Sequence, residues 1–306
     1  MEFAEISSIG FGELMATQAV KRHKARISKG HLLAHGYIWV IILFVLFPIY
    51  VVIESSFNPT GLLNSGSFIP TQFSWANYHL LLTDPHVPFL RWILNSIILA
   101  TGNAVIAVFI GGASAFAFSR MKFRGRKIGL QALLLVQVFP SFLALAAIYV
   151  MMERVYTVFP AIGLGSLGGL LLIYLGGSMG VNIWLLRGYI DTIPMELDEA
   201  ARIDGASTPQ VYWLIFFPLA TPVLAVTALL AFIGTFNEFI LASIFLTDVH
   251  QRTVAVGLNS FVGAQFGQNW GPFAAGSLMA SIPLVILFLS LQRFIIGGLT
   301  QGATKG

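Results

Sequence analysis

The stretch DEAARIDGASTPQVYWLIFFP, residues 198–218, places a charged segment and a new helix start between two strongly apolar regions. Acidic residues come first, in the turns where negative charge interacts favourably with the helix dipole. Gly205 is typical of a helix end. Ser207 or Thr208, followed by Pro209, is typical of a helix start. The stretch therefore predicts a short polar helix, a break and a second, apolar helix.

The short helix is predicted to begin at Ile193-Pro194, because proline suits the first helical position. About ten residues are too few for a helix that is stable alone in water, so this helix must dock on something. Ala200 and Ala201 give it a small face, and Arg202 with the acidic residues would fix its orientation against opposite charges. Two interpretations stay open: the helix packs on the chain's own helices within a solvated loop, or it docks on another protein.

The composition around this stretch is that of a membrane protein. Of the 306 residues, 57% are hydrophobic and 10% are charged, whereas soluble domains carry about 25% charged residues. The chain has no cysteine, which excludes disulfides and cysteine-based metal or redox sites. Its histidines do not have metal-ligand spacing. The net charge of +4 comes from basic residues beside apolar runs, which indicates membrane lipid and not nucleic acid as the surrounding partner.

Six membrane-spanning helices are predicted, because apolar runs exceed the roughly 18 residues of a span and no alternating barrel pattern is present. They lie at about 36–53, within 92–119, within 128–152, at about 165–186, from after 211 to about 246, and at about 273–292. The predicted fold is an all-α membrane protein. A six-span transmembrane domain, 35–298, follows an N-terminal segment, 1–34, and precedes a C-terminal tail, 299–306.

The distribution of basic residues predicts the orientation of these spans. With six spans, all but three of the 17 Lys and Arg residues fall on one side of the membrane. The exceptions are Arg91, Arg154 and Arg252. The positive-inside rule then places both termini in the cytoplasm. The loop at about 190–210 becomes cytoplasmic, and the loop at about 248–271 becomes external.

The spacing of Glu199-Ala200-Ala201, Gly205, Ile215 and Pro218 resembles the EAA loop of bacterial ABC importer permeases. That family usually has leucine where this chain has Phe217, a conservative difference. Further segments resemble the smaller permease subunit of maltose and maltodextrin importers, from about residue 33 to the C terminus. They are FSRMKFRGRK (118–127), QVFPSFLAL (137–145), GLGSLGGLLLIYLGG (163–177) and LQRFIIGGLTQGATKG (291–306).

The resemblance implies a multi-pass permease of the bacterial inner membrane that imports an α-glucoside such as maltose, maltodextrin or a trehalose-like sugar. It would pair with a second, larger permease, two copies of a cytoplasmic ATPase and an extracytoplasmic sugar-binding protein. The chain lacks a G-x-x-x-x-G-K-[ST] phosphate loop. We therefore expect no cofactor and no catalysis in this chain, with ATP and magnesium bound by the ATPase partners.

The resemblance also implies which residues meet these partners. The polar helix would be the coupling helix that contacts the ATPase, through Glu199, Ala200, Ala201, Arg202, Asp204 and Gly205. The tail residues Gln301, Gly302, Lys305 and Gly306 would insert between the ATPase subunits. The alternative for the tail is a disordered chain end.

The external loop would enter the cleft of the binding protein. Its candidate contacts are Asn259, Phe261, Gln265, Gln268, Asn269 and Trp270. Amide and aromatic groups suit sugar contacts on chemical grounds as well. The alternative is an ordinary external loop.

Glu238, next to Asn237, is a carboxylate inside apparent membrane sequence, which makes it a functional candidate. It would line the translocation path or the subunit interface, or else reach water near the outer end of the fifth span. Two other functions compete with the importer permease. One is an ion-coupled secondary transporter, although such proteins commonly have inverted repeats and several buried charges. The other is a structural membrane subunit with no pathway.

Overall fold

The structure, a computed structural model, describes residues 29–59, 73–263 and 268–303. Every regular element within these ranges is helical, which confirms the predicted all-α class. The α-helices are α1 (Lys29–Phe57), α2 (Ala76–Thr83), α3 (Phe89–Arg120), α4 (Arg126–Val138), α5 (Leu145–Val158), α6 (Leu167–Ile190), α7 (Glu196–Ile203), α8 (Thr208–Leu219), α9 (Thr221–Phe236), α10 (Ile240–Phe245), α11 (Val254–Asn259) and α12 (Trp270–Ala303).

Five of the predicted spans have a counterpart among these helices. Four stretches are long and apolar enough to cross a membrane. They are Leu33–Phe57, Phe89–Arg120, Leu167–Ile190 and Trp270–Phe294. The consecutive helices α8 and α9 qualify together as a fifth span that is bent by 77°.

The region of the third predicted span differs from a single helix. It consists of α4 and α5, of 13 and 14 residues, joined by a 3₁₀ turn at Ser141–Ala144. Pro140 explains the break, because proline has no N–H for the helical ladder and disfavours the helical conformation in the residue before it. Phe139 is accordingly extended, with φ −69° and ψ 124°.

The fifth predicted span also differs from a single straight helix. Residues 211–216 form a π-helical segment in the middle of α8, and the sharp bend follows at Ala220. Pro218 and Pro222 flank that bend, and each removes a hydrogen-bond donor from the helical ladder. The helix α9 then ends at Phe236, well before the predicted limit, and α10 is a separate short helix.

The chain divides into two compact units, 1–50 and 51–306. Within the first unit, the described side chains of residues 33–50 are all exposed, although this part of α1 is strongly apolar. A helix that is apolar all round needs lipid or another protein around it.

The second unit is built around α3, which packs on α6, α9 and α11, while α9 packs on α12. Small residues on α3 let these helices approach closely. The buried ones include Ala100, Ala104, Ala107, Gly111 and Ala115.

A polar contact joins the middle of α3 and of α6 to the last turn of α9. The Nδ2 of Asn103 on α3 donates to Thr235 Oγ1 on α9 at 2.7 Å. Ser178 on α6 donates its Oγ–H to Asn103 Oδ1 at 3.1 Å. Such side-chain hydrogen bonds are a usual means of fixing helix pairs in a membrane.

Candidate functional site

The short helix α7 lies where the sequence predicts it, although it begins at Glu196, two residues later than the predicted Pro194. Its first turn carries Glu196, Asp198 and Glu199, and its last turn carries Arg202. This charge order complements the helix dipole at both ends. The helix has only eight residues, so contacts with other parts of the molecule must hold it in place.

The end of α7 is a Schellman motif centred on Gly205. Gly205 has a φ of +85°, and its N–H donates to the Arg202 carbonyl at 3.1 Å. The N–H of Ala206 donates to the Ala201 carbonyl at 2.9 Å. Glycine suits this left-handed position because it has no Cβ. The predicted helix end at Gly205 is therefore present.

The restart into α8 follows directly. Ser207 is extended and precedes the first residue of α8, and its N–H donates to Gln210 Oε1 at 2.8 Å. A hydrogen bond from the residue before a helix to the side chain of the third helical residue is one half of a capping box. It fixes the direction in which the apolar helix leaves the polar loop.

Asp198 anchors α7 to the end of α3 by a buried ion pair. The Arg120 Nε atom lies 3.2 Å from Asp198 Oδ2, and the two side chains are 4% and 7% exposed. Asp198 Oδ1 accepts no hydrogen bond from the part of the chain that the structure describes. Breaking a buried pair leaves an uncompensated charge and typically costs about 3–5 kcal/mol. Asp198 therefore stabilises the fold, although its neighbour in the sequence, Glu199, is the acid that is predicted to face a partner protein.

Arg120 also holds the segment that leads into α7. Its Nη2 donates to the carbonyl oxygens of Ile190, at 3.1 Å, and of Ile193. Its guanidinium carbon lies 5.5 Å from the ring centre of Phe216 on α8, within cation–π range. One side chain at the end of α3 thus contacts α7, α8 and the connection between α6 and α7.

A second polar contact joins α3 to the end of α6. Ser119 donates its Oγ–H to Asp191 Oδ1 at 2.5 Å. The other carboxylate oxygen of Asp191 lies 3.4 Å from the Nε of Arg187. The loop that carries α7 is therefore tied to α3 at both Ser119 and Arg120.

The opposite face of α7 is open. Ala201 is buried in a cluster with residues such as Phe116 and Phe216, whereas the other five candidate coupling residues are exposed. The five are Glu199, Ala200, Arg202, Asp204 and Gly205. Ile203 is 86% exposed on the same short helix, and Leu197 is 43% exposed. Apolar side chains this exposed, beside acidic ones, are typical of a protein-docking surface.

The segment that leads into α11 is held at the other end of α3. Trp92 donates its indole N–H to the Val249 carbonyl at 2.7 Å. The Asn95 amide donates to the carbonyls of His250 and Arg252, both at 2.9 Å. The Ser96 hydroxyl oxygen accepts the N–H of Val254 at 2.8 Å. Three polar side chains of α3 thus bind the backbone of residues 249–254, which we call the outer segment because the sequence predicts it on the external side.

The candidate contacts of the external loop lie beyond this segment. Asn259, at the end of α11, and Gln268 are exposed, while Phe261 and Trp270 are half-buried. The Asn269 N–H donates to the Phe261 carbonyl at 2.9 Å and brings the two sides of the loop together. Gln265 lies outside the described residues.

Glu238 has hydrogen-bond partners that explain an acid at this position. Its two carboxylate oxygens accept the N–H groups of Leu241, at 2.8 Å, and Ala242, at 3.0 Å, in the first turn of α10. Tyr174 on α6 donates its hydroxyl to Glu238 Oε2 at 2.6 Å. Glu238 therefore caps α10 and joins it to α6. Asn237, at the end of α9, is exposed.

An open cavity of about 430 Å³ brings two separately predicted residues together. Asn237 and Asn259 both line it, with Ser277 and Ser281 of α12 and an otherwise apolar wall. Gln301 and Gly302 belong to the last turns of α12, and Lys305 and Gly306 lie outside the described residues.

Several anchoring residues were not predicted from the sequence. Arg120 counted only as one of many basic residues beside a span, and Trp92 and Asp198 received no site role. Glu54 is buried within α1, which runs past the predicted end of the first span. Their position in the sequence was the signal that could have identified them. Polar residues at the two ends of one apolar helix can bind the loops that lie next to those ends.

Comparison with known proteins agrees with this arrangement. Residues 104–300 match the family described as "Binding-protein-dependent transport system inner membrane component". The chain is 38% identical to the maltose/maltodextrin transport system permease protein MalG of Photorhabdus laumondii, over 95% of this chain and 100% of that protein. It is 37% identical to the MalG proteins of Yersinia pestis, over 95% of this chain and 98% of that protein, and of Escherichia coli K12, over 95% and 100%.

The fold is also similar to that of a solved structure, a bacterial ABC transporter involved in the import of the acidic polysaccharide alginate. The TM-score is 0.71, the sequence identity is 22%, and the match covers 86% of this chain and 95% of that chain. At this identity the similarity shows a shared fold. The predicted resemblance to ABC importer permeases is confirmed, and the relatives are transport subunits and not enzymes. This chain belongs to the family of inner membrane components of binding-protein-dependent transport systems.

Proposed function

We propose that this chain is one of two permease subunits that form the translocation path of an ABC sugar importer. The substrate is an α-linked glucose oligomer, either maltose and maltodextrins or a trehalose-like disaccharide. Relatives 36–38% identical to this chain over most of its length are maltose/maltodextrin permeases, which supports this substrate class.

The exposed face of α7 is the observation that supports an ATPase as the energy source of transport. It combines Glu199 with the exposed apolar residues Leu197 and Ile203, while Arg120 fixes the helix from behind through Asp198. A helix held rigidly on one side and open on the other fits a groove in a second protein. In this proposal that protein is a cytoplasmic ATPase, present in two copies, which binds the ATP and magnesium.

The remaining partners complete the importer. A second, larger permease forms the path with this chain in the bacterial inner membrane, and both termini of this chain lie in the cytoplasm. An extracytoplasmic sugar-binding protein delivers the substrate to the external loop that includes Asn259, Phe261 and Trp270. The tail from Gln301 onward lies against the ATPase subunits.

The test is a gentle-detergent pull-down of this chain from its native membrane, with mass spectrometry of the proteins that stay bound. We expect a second permease and a P-loop ATPase. Replacing Glu199 by Gln together with Gly205 by Pro should release the ATPase but keep the permease. Glu153→Gln, an exposed acid on α5, is the matched control and should keep both partners.

Uptake by the same cells identifies the sugar. Cells that express the complex should accumulate labelled maltose, maltotriose or trehalose, and the double replacement should abolish that uptake. Recovery of this chain without any ATPase, or uptake that survives loss of every ATPase partner, would contradict the proposal.

A further inference from the structure

The helix α3 carries the anchors of both functional segments. The outer segment is bound by Trp92, Asn95 and Ser96 in the first turns of α3. In the last turn of α3, Arg120 binds α7 through Asp198, and Ser119 binds Asp191 in the connection that leads into α7. From residue 92 to residue 120 a helix rises about 42 Å, which exceeds the roughly 30 Å hydrocarbon core of a bilayer. The two segments therefore lie at opposite ends of one continuous helix.

The stiffness of α3 distinguishes it from the other connection to α7. The 32 residues of α3 contain no proline, and the helix has no break. The connection through α8 and α9 includes a π-helical segment and a 77° bend. A π-helical segment and a proline kink are the places where a helix most readily changes shape. A displacement of α7 therefore moves the far end of α3 by a similar distance, whereas α8 and α9 absorb part of such a displacement by changing shape.

We propose that α3 is the element that couples the outer segment to α7. Arg120 and Asp198 form its inner joint, and Trp92 and Asn95 form its outer joint. These four are positioning residues that need not touch sugar or nucleotide. The proposal rests on the proposed function, in which α7 meets the ATPase and the external loop meets the binding protein. It adds the route by which the arrival of loaded binding protein outside alters ATP hydrolysis inside.

The outer joint is suited to nearly isosteric replacement. Asn95→Leu keeps the approximate size of the side chain, adds no charge, and removes the amide that donates to the His250 and Arg252 carbonyls. Trp92→Phe removes the indole N–H that binds the Val249 carbonyl. Leu94→Ala is the matched control, because Leu94 lies between them on α3 and is 54% exposed. At the inner joint, Asp198→Asn removes the charge and keeps the shape.

The experiment uses the assembled importer in lipid nanodiscs and measures ATP hydrolysis with and without sugar-loaded binding protein. Asn95→Leu and Trp92→Phe should leave basal hydrolysis and assembly unchanged and reduce the stimulation by at least about fivefold, the lower end of ordinary coupling between sites. Leu94→Ala should retain full stimulation. Retained stimulation in both outer variants would overturn the proposal.

The double variant Asn95→Leu with Asp198→Asn tests whether the two joints share one route. If the joints share one route, the binding protein should stimulate ATP hydrolysis in the double variant at least as much as in the less stimulated of the two single variants. The reason is that a route already interrupted at one joint cannot be interrupted again at the other. Losses that multiply would show independent effects and contradict the proposal. Absence of stimulation in the unmodified complex would instead contradict the proposed function.

A second measurement does not depend on the stability of any joint variant. The chain has no cysteine, so spin-label pairs can be introduced on exposed positions of this subunit. A pair at Arg91, in the first turn of α3, and Met121, directly after its last residue, should keep its distance when a non-hydrolysable ATP analogue is added. A pair at Leu219 and Leu230, across the bend, should change its distance. A change at α3 larger than about 5 Å, one helical turn, would overturn the proposal.

Discussion

Gly257 of α11 lies directly against the indole ring of Trp92 on α3. A Cβ atom at position 257 would be 2.1 Å from Trp92 Cε3 and 2.3 Å from Cδ2. Because Trp92 is only 2% exposed and its N–H binds the Val249 carbonyl, the ring has little freedom to move away. The close approach of α11 to α3 thus depends on the missing side chain of Gly257.

Gly257→Ala should therefore destabilise the subunit, since overpacking a core site costs roughly 1–3 kcal/mol. The measurement is thermal unfolding of the solubilised complex. Gly188→Ala is the control, because Gly188 is helical and its Cβ would meet no atom within 4 Å. Equal melting temperatures for the two variants would contradict the packing described here.

Substitutions at Gly205 should follow the cost of its left-handed conformation. Uptake should be highest for Gly205→Asn, lower for Gly205→Ala and lowest for Gly205→Pro. Left-handed backbone costs most L-residues about 1–2 kcal/mol, and Asn tolerates it better. Proline also removes the N–H that binds the Arg202 carbonyl.

The same series separates two roles of Gly205. Among the described residues, no atom lies within 4 Å of a Cβ placed there. If the ATPase instead needs a close approach at this position, uptake should fall with side-chain size, and Asn would be worse than Ala. Labelled-sugar uptake at equal membrane abundance decides between the two orders.

Two neighbouring acidic residues of α7 should differ in their roles: replacing one should mainly reduce stability, and replacing the other should mainly reduce binding of the ATPase. Asp198→Asn breaks a buried ion pair, so we expect a loss of about 3 kcal/mol or more in stability. Glu199→Gln removes an exposed charge and should change stability by less than about 0.5 kcal/mol. Thermal unfolding measures the first effect, and the pull-down of the ATPase measures the second. Equal melting temperatures for Asp198→Asn and Glu199→Gln would show that the ion pair does not hold α7.

Single cysteines should report the predicted orientation. Arg124→Cys should react with a membrane-impermeant maleimide only after the membrane is opened, because the positive-inside rule places it in the cytoplasm. His250→Cys, in the outer segment, should react in intact spheroplasts. Both positions are exposed, and the natural chain contributes no background cysteine. Labelling of position 124 from outside would overturn the topology.

Local features of the polar loop were predictable from sequence. Gly205 marked the end of α7, and Ser207 marked the start of α8, because both act through backbone groups a few residues away. The break at Pro140 also had a local signal. Apolar content alone nevertheless predicted one continuous span there, since hydropathy does not register the missing N–H of proline.

The anchors of α3 were beyond local patterns. Trp92 and Val249 are 157 residues apart in the chain, and Arg120 and Ile190 are 70 residues apart. No spacing rule relates such residues, and only the packing of α3 among the other helices brings them together. For the same reason, the sequence marked Glu199 as the notable acid of α7 but gave no sign that Asp198 is buried.

The bend between α8 and α9 lets a small rotation produce a larger displacement of the polar loop. The 12 residues from 208 to 219 form an arm about 18 Å long, pivoting at Ala220. A rotation of about 10° at that pivot moves the far end of the arm by about 3 Å. The buried cluster around Phe216 lies along the arm and sets the force needed to turn it. A rotation of a few degrees at Ala220 would thus produce a larger displacement at α7, with the helical hydrogen bonds of α9 left intact.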